Sequence, residues 1–383
     1  MSGLLVKSAQ QMVATAKDFK AAGIDIPIIV GGAALTQKFT SNKIQPEYDG
    51  PVIYAKDAMH GLDLINHLAD PNKKDQFIAD YRAEFKPGYG MDTDSKNSGD
   101  AAKPEKIILK EKTISYDYDI ASVVPPSFEP VIVEKTMDEL WPFINRQMLY
   151  GHHLGLKGNM KKMFEDKDPK AMKLDAQIQE VRAMINEADA CKPRGVYQFF
   201  KTRKDGDTMV ILNEDETKEL QRFKFPRQPY GYQYCLTDFQ HPDKADIMAF
   251  FVLTSGQEIL DFGKELKDKE RFLASHIANA IGLELAEGFA EGLHQHIRSQ
   301  WGFPDEKSWD AEDLFRLKYR GRRYSFGYPA CPDLGYQRLL WDFFEPDKKI
   351  GVDLCDDYMM NPDGSVSALV MHHPEATYFR IKE

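Results

Sequence analysis

The sequence has few cysteines, no long apolar run and no excess of positive charge. Its four cysteines stand too far apart to form a CxxC pair, so neither a disulfide framework nor a thiolate zinc site is indicated. No apolar run approaches the ~18 residues that a membrane span requires, and we expect no membrane partner. The formal net charge of -10 argues against nucleic acid as a partner.

Two further absences narrow the class of protein. The N-terminal residues lack the charged region, apolar stretch and small-residue cleavage site of a secretory signal, so we expect a cytoplasmic protein. Histidines occur as adjacent pairs at His152/His153 and His372/His373, but neighbours in sequence do not face one point on a helix. We therefore expect no metal site.

What is present is the composition of a globular protein, with 42% hydrophobic and 29% charged residues over 383 positions. At the usual ~150 residues per domain, this length predicts two or three domains. Residues 1–85 alternate between helical and strand patterns, with strands expected at 24–30 and 51–55 and helices at 8–22, 33–40 and 58–69. This order is typical of a parallel, doubly wound α/β sheet.

This first unit is too small to cover such a sheet, so we interpret it as the C-terminal part of a larger Rossmann-like domain. Gly31 and Gly32 stand where its first strand ends. Open α/β sheets bind ligands at that end, and glycine permits a close approach to the backbone. A tight turn explains the two glycines equally well.

Residues 86–105 form a polar run that we interpret as a linker. From residue 106 to 383, helical and strand patterns are mixed, which predicts an α+β domain. Helices are expected at 136–144, 165–190 and 269–300, and strands at 195–200, 208–212, 248–254 and 365–371. The Asp-Gly turn inside 204–207 predicts a hairpin between the first two of these strands.

The most unusual stretch is residues 319–332, where glycines, prolines and aromatic residues favour an extended loop over a helix. An arginine fork in such a loop can bind a carboxylate. The alternative, which composition favours, is a loop with its aromatics in the core and its arginines in solvent. Tyr378 and Phe379 fit either an adenine site or a core, and Cys331, without a nearby base, fits a packing role.

These residues carry a resemblance to a known family. The chain resembles the C-terminal part of cobalamin-dependent methionine synthase, from the end of its cobalamin-binding Rossmann-like domain through its S-adenosylmethionine-binding activation domain. The first unit is similar in the runs 2–5, 28–33 and 48–58. The second contains the signature RxxxGY as Arg323, Gly327 and Tyr328, followed by Pro-Ala-Cys-Pro.

The resemblance implies two sets of site residues, neither of them catalytic. Those expected to bind S-adenosylmethionine are Asn145, Arg323, Gly327, Tyr328, Tyr378 and Phe379. Arg323 corresponds to the arginine that binds the ligand's carboxylate, and Asn145 replaces an aspartate that binds its amino group, which removes charge assistance. Those expected to contact cobalamin are Ser2, Val6, Gly31, Gly32 and Ala58, with Val6 in place of a threonine.

The function implied is reductive reactivation, in which S-adenosylmethionine remethylates cob(II)alamin to methylcobalamin with an electron from a flavodoxin-type donor. The family's cobalt-ligating motif, Asp-x-His-x-x-Gly, and its substrate domains have no counterpart here, so the chain alone is not expected to make methionine. The missing synthase domains, or a separate corrinoid protein, would be partners. The alternative is a non-catalytic module that binds S-adenosylmethionine or corrinoid beside such a protein.

Overall fold

The computed structural model describes residues 1–2, 6–32, 35–56, 58–70, 73–85, 124–309, 311–356 and 358–381. The chain divides into two compact units, Met1–Pro104 and Glu105–Glu383. The predicted linker, 86–105, lies outside the described residues. Among the described residues, no helix is both long and apolar enough to cross a membrane.

The first unit is a small mixed α/β structure. Its elements are α1 (Val6–Ala21), β1 (Ile28–Gly31), α2 (Gln37–Phe39) with a π-helix (Thr40–Ile44) and a 3-10 helix (Gln45–Glu47), β2 (Val52–Ala55), α3 (Ala58–Ala69) and α4 (Lys74–Glu84). β1 and β2 pair in parallel, as their alternation with helices predicts. The first strand is shorter than expected because Ile26 is exposed and Pro27 has no N–H for a strand ladder.

Among the residues that the structure describes, the first regular element of the second unit begins at residue 131. Its first elements are β3 (Val131–Glu134), α5 (Met137–Leu140), a 3-10 helix (Trp141–Phe143), a π-helix (Gln147–His153), α6 (Met160–Glu165), α7 (Pro169–Glu187), β4 (Arg194–Asp205), β5 (Thr208–Leu212), β6 (Glu219–Lys224) and a 3-10 helix (Leu236–Phe239). The remaining elements are β7 (Asp246–Thr254), α8 (Gln257–Asp268), α9 (Phe272–Gln300), α10 (Ala311–Phe315), β8 (Arg322–Ser325), a 3-10 helix (Leu334–Gln337), α11 (Arg338–Phe344), α12 (Pro346–Ile350), β9 (Asp353–Leu354), β10 (Met360–Asn361) and β11 (Ser365–Met371).

Within the described residues, an antiparallel sheet organises this unit, with strand order β6-β5-β4-β7-β11-β8 and β3 paired to β4. The predicted hairpin is present as β4 and β5, with Gly206 at φ +59° in its turn. Every residue of β7 is buried, because apolar clusters cover both faces of the sheet. Alternate side chains of β7 enter opposite clusters, as strand geometry requires.

The long helix α9 packs against one face of the sheet. In this segment, where the sequence predicts a helix, six apolar residues at four-residue intervals are all buried in one cluster: Ile277, Ile281, Leu285, Phe289, Leu293 and Ile297. The helical period read from the sequence is therefore confirmed, although the helix starts at Phe272 rather than at 269.

The stretch 319–332 is not a loop throughout. Residues Arg322–Ser325 form β8, which pairs with β11 at the end of the sheet order. The composition predicted extended backbone but could not show that a partner strand would take it up. Tyr324 and Phe326 enter the core as the alternative expected, but Arg323 does not lie in solvent: its side chain is only 16% exposed.

Candidate functional site

A cavity of about 330 Å³ opens beside β8. This volume lies at the lower end of the range for small-molecule sites, about 300–1,000 Å³. Its lining includes Glu287 of α9, residues 323–325 and 328–330 from the unusual stretch, and residues 378–380, which contain the aromatic pair. The cavity thus brings together Arg323, Tyr328, Tyr378 and Phe379, four of the six residues expected to bind S-adenosylmethionine.

Strand geometry directs Arg323 toward α9. In the β8–β11 ladder Arg323 lies opposite Val370, whose side chain belongs to the apolar cluster on the α9 side of the sheet. Paired residues on neighbouring strands share a face, so the Arg323 side chain lies on that side as well. There its Nη1 donates to Oε2 of Glu291 at 3.0 Å, while its Nη2 lies 3.7 Å from Oε2 of Glu287.

The two glutamates differ in exposure. The Glu291 side chain is 7% exposed and the Glu287 side chain 50% exposed. Partial burial raises the pKa of Glu287, and the negative charges of Glu284 and Glu291 raise it as well. The positive charge of Arg323 lowers it, but the net shift is upward. Burial would lower the pKa of Arg323, but Glu291 and the other neighbours raise it overall. The guanidinium therefore stays charged, held by a buried carboxylate and accompanied by an accessible one.

Hydrogen bonds to backbone carbonyls hold the second lining segment, residues 378–380, along the cavity. The Tyr378 hydroxyl donates to the carbonyl of Arg323 at 2.8 Å, and the Tyr324 hydroxyl to that of Thr377 at 2.8 Å. The Ile381 N–H donates to the Pro329 carbonyl at 3.2 Å. Phe379 is buried in the core, as one of the two alternatives expected, whereas Tyr378 is half exposed at the cavity.

Gly327 makes the turn that presents Tyr328. Its φ is +82°, and an added Cβ would lie 2.9 Å from Cγ of Leu334. Its N–H donates to the carbonyl of Cys331 at 2.8 Å, and the Cys331 N–H donates to that of Tyr328 at 2.9 Å. Only glycine fits this backbone without strain. Cys331 itself is buried and burial strongly raises its pKa, which suits the expected packing role.

Asn145 is not among the residues that line the cavity. Its Oδ1 accepts from the N–H of Met148 at 3.2 Å, at the start of the π-helix. Nearby Phe143 packs closely on α9. A Cβ added at Gly288 or Gly292 would lie only 3.2 or 3.3 Å from atoms of Phe143. The Asn145 segment therefore lies against the helix that carries Glu287 and Glu291.

In the first unit, three of the expected cobalamin contacts come together. Ser2 forms a parallel bridge with Gly31 at the carboxyl end of β1, and Gly32 follows at φ +117°. An added Cβ on Gly31 would lie 2.8 Å from the carbonyl oxygen of Ala55, so packing against β2 already requires this glycine. Val6 and Ala58 begin α1 and α3, and their side chains lie outside the description.

Sequence reasoning missed Glu287 and Glu291. A signal was available, since Glu284, Glu291 and Arg298 recur every seven residues directly beside the apolar stripe of α9. Charged residues at that spacing lie at the margin of the buried face. All three are buried, and we infer that this margin of α9 contributes to the site.

The chemistry available here is recognition of a small molecule that has both charges and a flat ring. Arg323 suits a carboxylate, Glu287 a cationic group, and the exposed rings of Tyr328 and Tyr378 an aromatic base. Within the described part of the chain, no group of three or more His, Cys, Asp or Glu side chains is arranged to hold a metal ion.

Comparison with known proteins gives the following similarities. The profile of a family described as "Vitamin B12 dependent methionine synthase, activation domain" matches residues 136–383. Methionine synthase of Mycobacterium tuberculosis is 29% identical over 415 aligned positions, and that of Mycobacterium leprae 27% over 419. Each alignment covers the whole of this chain but 34% of the relative, so the chain spans about a third of the length of these relatives.

A solved structure is similar as well. The crystal structure of the MetH reactivation domain bound to AdoHcy superposes with a TM-score of 0.65 and 25% sequence identity. The match covers 71% of this chain and 86% of that one.

Proposed function

Because the chain belongs to the family of vitamin B12 dependent methionine synthase activation domains, we propose that its cavity binds S-adenosylmethionine for reactivation of the synthase. The observation that carries the proposal is the convergence of Arg323, Tyr328, Tyr378 and Glu287 on one cavity of suitable size. The homologous reactivation domain bound to AdoHcy, the demethylated form of this ligand, supports the same assignment.

Arg323 binds the ligand's carboxylate in this proposal. A guanidinium has five N–H donors, and Glu291 accepts from Nη1. The 3.7 Å between Nη2 and Glu287 is too long for a hydrogen bond, so donors remain for a second carboxylate. Since β8 pairing and Glu291 already fix the guanidinium, little side-chain entropy is lost when the ligand binds.

Glu287 provides the opposite charge. Its side chain is half exposed, lines the cavity and has Oε2 3.7 Å from Nη2 of Arg323. A ligand with an ammonium and a sulfonium group would replace the water around this carboxylate. Binding a cation would also return the raised pKa of Glu287 toward its ordinary value. Asn145, on the segment beside α9, is proposed as a further acceptor for the ammonium group.

The aromatic residues bind the adenine. Tyr378 and Tyr328 are about half exposed at the cavity, and their rings offer faces for stacking. Tyr378 also donates to the backbone of Arg323, which couples the base site to the carboxylate site. Phe379 anchors this segment in the core, and Gly327 allows the turn that places Tyr328.

For the first unit we propose a partial Rossmann-like segment that contacts the corrinoid. Ser2, Gly31 and Gly32 support this, since they lie together at the carboxyl end of a parallel strand, where open α/β sheets bind ligands. Val6 and Ala58 complete the proposed set. The corrinoid, when bound, supplies the cobalt that accepts the methyl group. The chain's own residues hold the methyl donor in one orientation, which is their contribution to the rate.

The proposed partners are suggested by the fraction of each related synthase that this chain covers. It spans 34% of the methionine synthases it matches, so the remaining synthase domains, or a separate corrinoid protein, are the proposed source of the cobalt ligand. A flavodoxin-type protein is the proposed electron donor. A module that binds S-adenosylmethionine without supporting methyl transfer is the competing function, and methyl transfer to an added corrinoid protein separates the two.

The first experiment is calorimetric titration of the full chain with S-adenosylmethionine, beside Arg323→Ala and a surface control, Lys264→Ala. We expect binding by the wild type and the control, and none by Arg323→Ala. Equal affinity in all three proteins would refute the assignment of the cavity. A second titration with cobalamin present tests the contribution of the first unit.

A further inference from the structure

Four buried polar side chains form a row along α9. Glu291, His294 and Arg298 of α9 and Trp301, the helical residue that caps its C-terminus, follow at intervals of three, four and three residues, which places them on one face. Each side chain has at least one buried nitrogen or oxygen with no hydrogen-bond partner in the described part of the chain: Glu291 Oε1, His294 Nδ1 and Nε2, Arg298 Nη1 and Trp301 Nε1.

Buried polar atoms without hydrogen-bond partners destabilise a folded domain. An unsatisfied buried polar group loses its hydrogen bonds to water on folding, so five such atoms on one face would remove much of a domain's stability. Native proteins satisfy such groups with ordered water, which makes two to four hydrogen bonds at each position. Side chains one turn apart have Cβ atoms about 5–6 Å apart, a separation that one water molecule bridges.

The donors and acceptors of the row are complementary. Arg298 uses Nε and Nη2 on Asp305, so its free Nη1 is a donor only. Glu291 uses Oε2 on Arg323, so its free Oε1 is an acceptor only. His294 lies between them, and a neutral imidazole has one donor and one acceptor. Burial and the nearby Arg298, Arg323 and Arg322 hold the pKa of His294 well below its ordinary value, so it is neutral.

We propose that buried water molecules link Arg298, His294 and Glu291 in one hydrogen-bonded row, and that His294 is thereby a positioning residue for Arg323. The imidazole accepts through water from Arg298 and donates through water to Glu291. Glu291 then has both oxygens fixed, and it holds the guanidinium in the orientation that receives a carboxylate. The edge-to-face contact of His294 with Tyr319, at 5.0 Å between centroids, fixes the plane of the imidazole. The positioning role rests on the proposed function, whereas the hydration does not.

The test is His294→Phe in the full chain, with His296→Phe as the matched control. Both substitutions replace a histidine of α9 by the same ring, but His296 contacts Tyr197 at 3.5 Å and belongs to no part of the row. Affinity is measured by calorimetry for S-adenosylhomocysteine and for methylthioadenosine, which has the adenosine and thioether but no amino acid group. We expect His294→Phe to weaken S-adenosylhomocysteine about tenfold and leave methylthioadenosine unchanged. The control should change neither.

If His294→Phe weakens the affinity for both ligands to the same extent, or weakens neither, the positioning role is wrong. Urea unfolding of the same variants tests the water. If the ring nitrogens have no partners, phenylalanine removes a buried polar cost and stabilises the domain. If water joins the ring nitrogens to Glu291 and Arg298, the phenylalanine breaks those hydrogen bonds and destabilises the domain, which is the expected result. Should the wild type bind neither ligand, the proposed function fails, but the sign of this stability change still decides the hydration.

If His294→Phe does not fold, a high-resolution crystal structure of the wild type tests for the buried water directly. We expect water within hydrogen-bond distance of both Glu291 Oε1 and a ring nitrogen of His294. A dry, apolar contact at either atom would overturn the proposal.

Discussion

Removing Arg323 should destabilise the second unit even in the absence of ligand. The guanidinium is 16% exposed and its partner Glu291 only 7% exposed, so Arg323→Met leaves a buried carboxylate without its counter-ion. Breaking a buried ion pair from one side costs about 3–5 kcal/mol. Because the cavity admits some solvent to Arg323, we take the lower end, about 3 kcal/mol. For a unit of this size that corresponds to a fall in Tm of about 6–12 °C.

The assay is thermal and urea unfolding followed by tryptophan fluorescence. All four tryptophans, Trp141, Trp301, Trp309 and Trp341, belong to the second unit, so the signal reports that unit alone. Adding Glu291→Gln to Arg323→Met removes the unpaired charge and should recover more than half of the lost stability.

The control is Lys264→Met, which breaks the exposed Lys264–Asp268 pair and should cost less than about 0.5 kcal/mol. If Arg323→Met is no more destabilising than this control, the pair with Glu291 is screened by solvent and the account of a preorganised guanidinium is wrong. The same holds if the double variant is less stable than Arg323→Met.

Three further predictions concern a turn, the ligand's amino group and a buried ion pair. Gly327→Ala should cost about 1–3 kcal/mol and weaken S-adenosylmethionine binding, whereas Gly351→Ala, at a similar φ of +70° but with open space around it, should cost about 1 kcal/mol and leave calorimetric affinity unchanged. Asn145→Asp should tighten binding of S-adenosylmethionine about fivefold, since a carboxylate adds charge assistance and still caps the following helix, and calorimetry beside the wild type measures it. Asp246→Asn should cost about 2 kcal/mol at pH 7. Burial alone would raise the pKa of Asp246, but the hydrogen bond with His372 holds that pKa below its ordinary value. The stabilisation is therefore complete above the unfolded pKa and should disappear as the pH falls through the folded pKa, which urea unfolding at several pH values will test.

The sequence was most informative where periodicity and burial coincide. The period of α9 and the apolar run of β7 both predicted elements that the structure contains, because each packs against apolar clusters along its whole length. β8 could not be predicted in the same way. Its glycine-rich and aromatic surroundings are typical of a loop, and its strand conformation depends on pairing with β11, more than forty positions further along the chain.

The candidate site was predictable in part. The resemblance directed attention to Arg323, Tyr328 and Tyr378, and the structure places these three at one cavity. Glu291, 32 positions before Arg323, was missed because a glutamate on an amphipathic helix is normally interpreted as part of its solvated face. Its seven-residue spacing from Glu284 and Arg298 indicates a place at the margin of the buried face but not the contact with Arg323. The contact arises only because β8 covers the margin of α9, which is a tertiary effect.

The most direct test of the central claim is a crystal structure of the full chain with S-adenosylhomocysteine. We expect the ligand in the cavity beside β8, with its carboxylate on Arg323, its amino group toward Glu287 and its adenine against Tyr378 or Tyr328. Ligand bound elsewhere, or bound with its carboxylate in solvent while Arg323 contacts only Glu287 and Glu291, would contradict it.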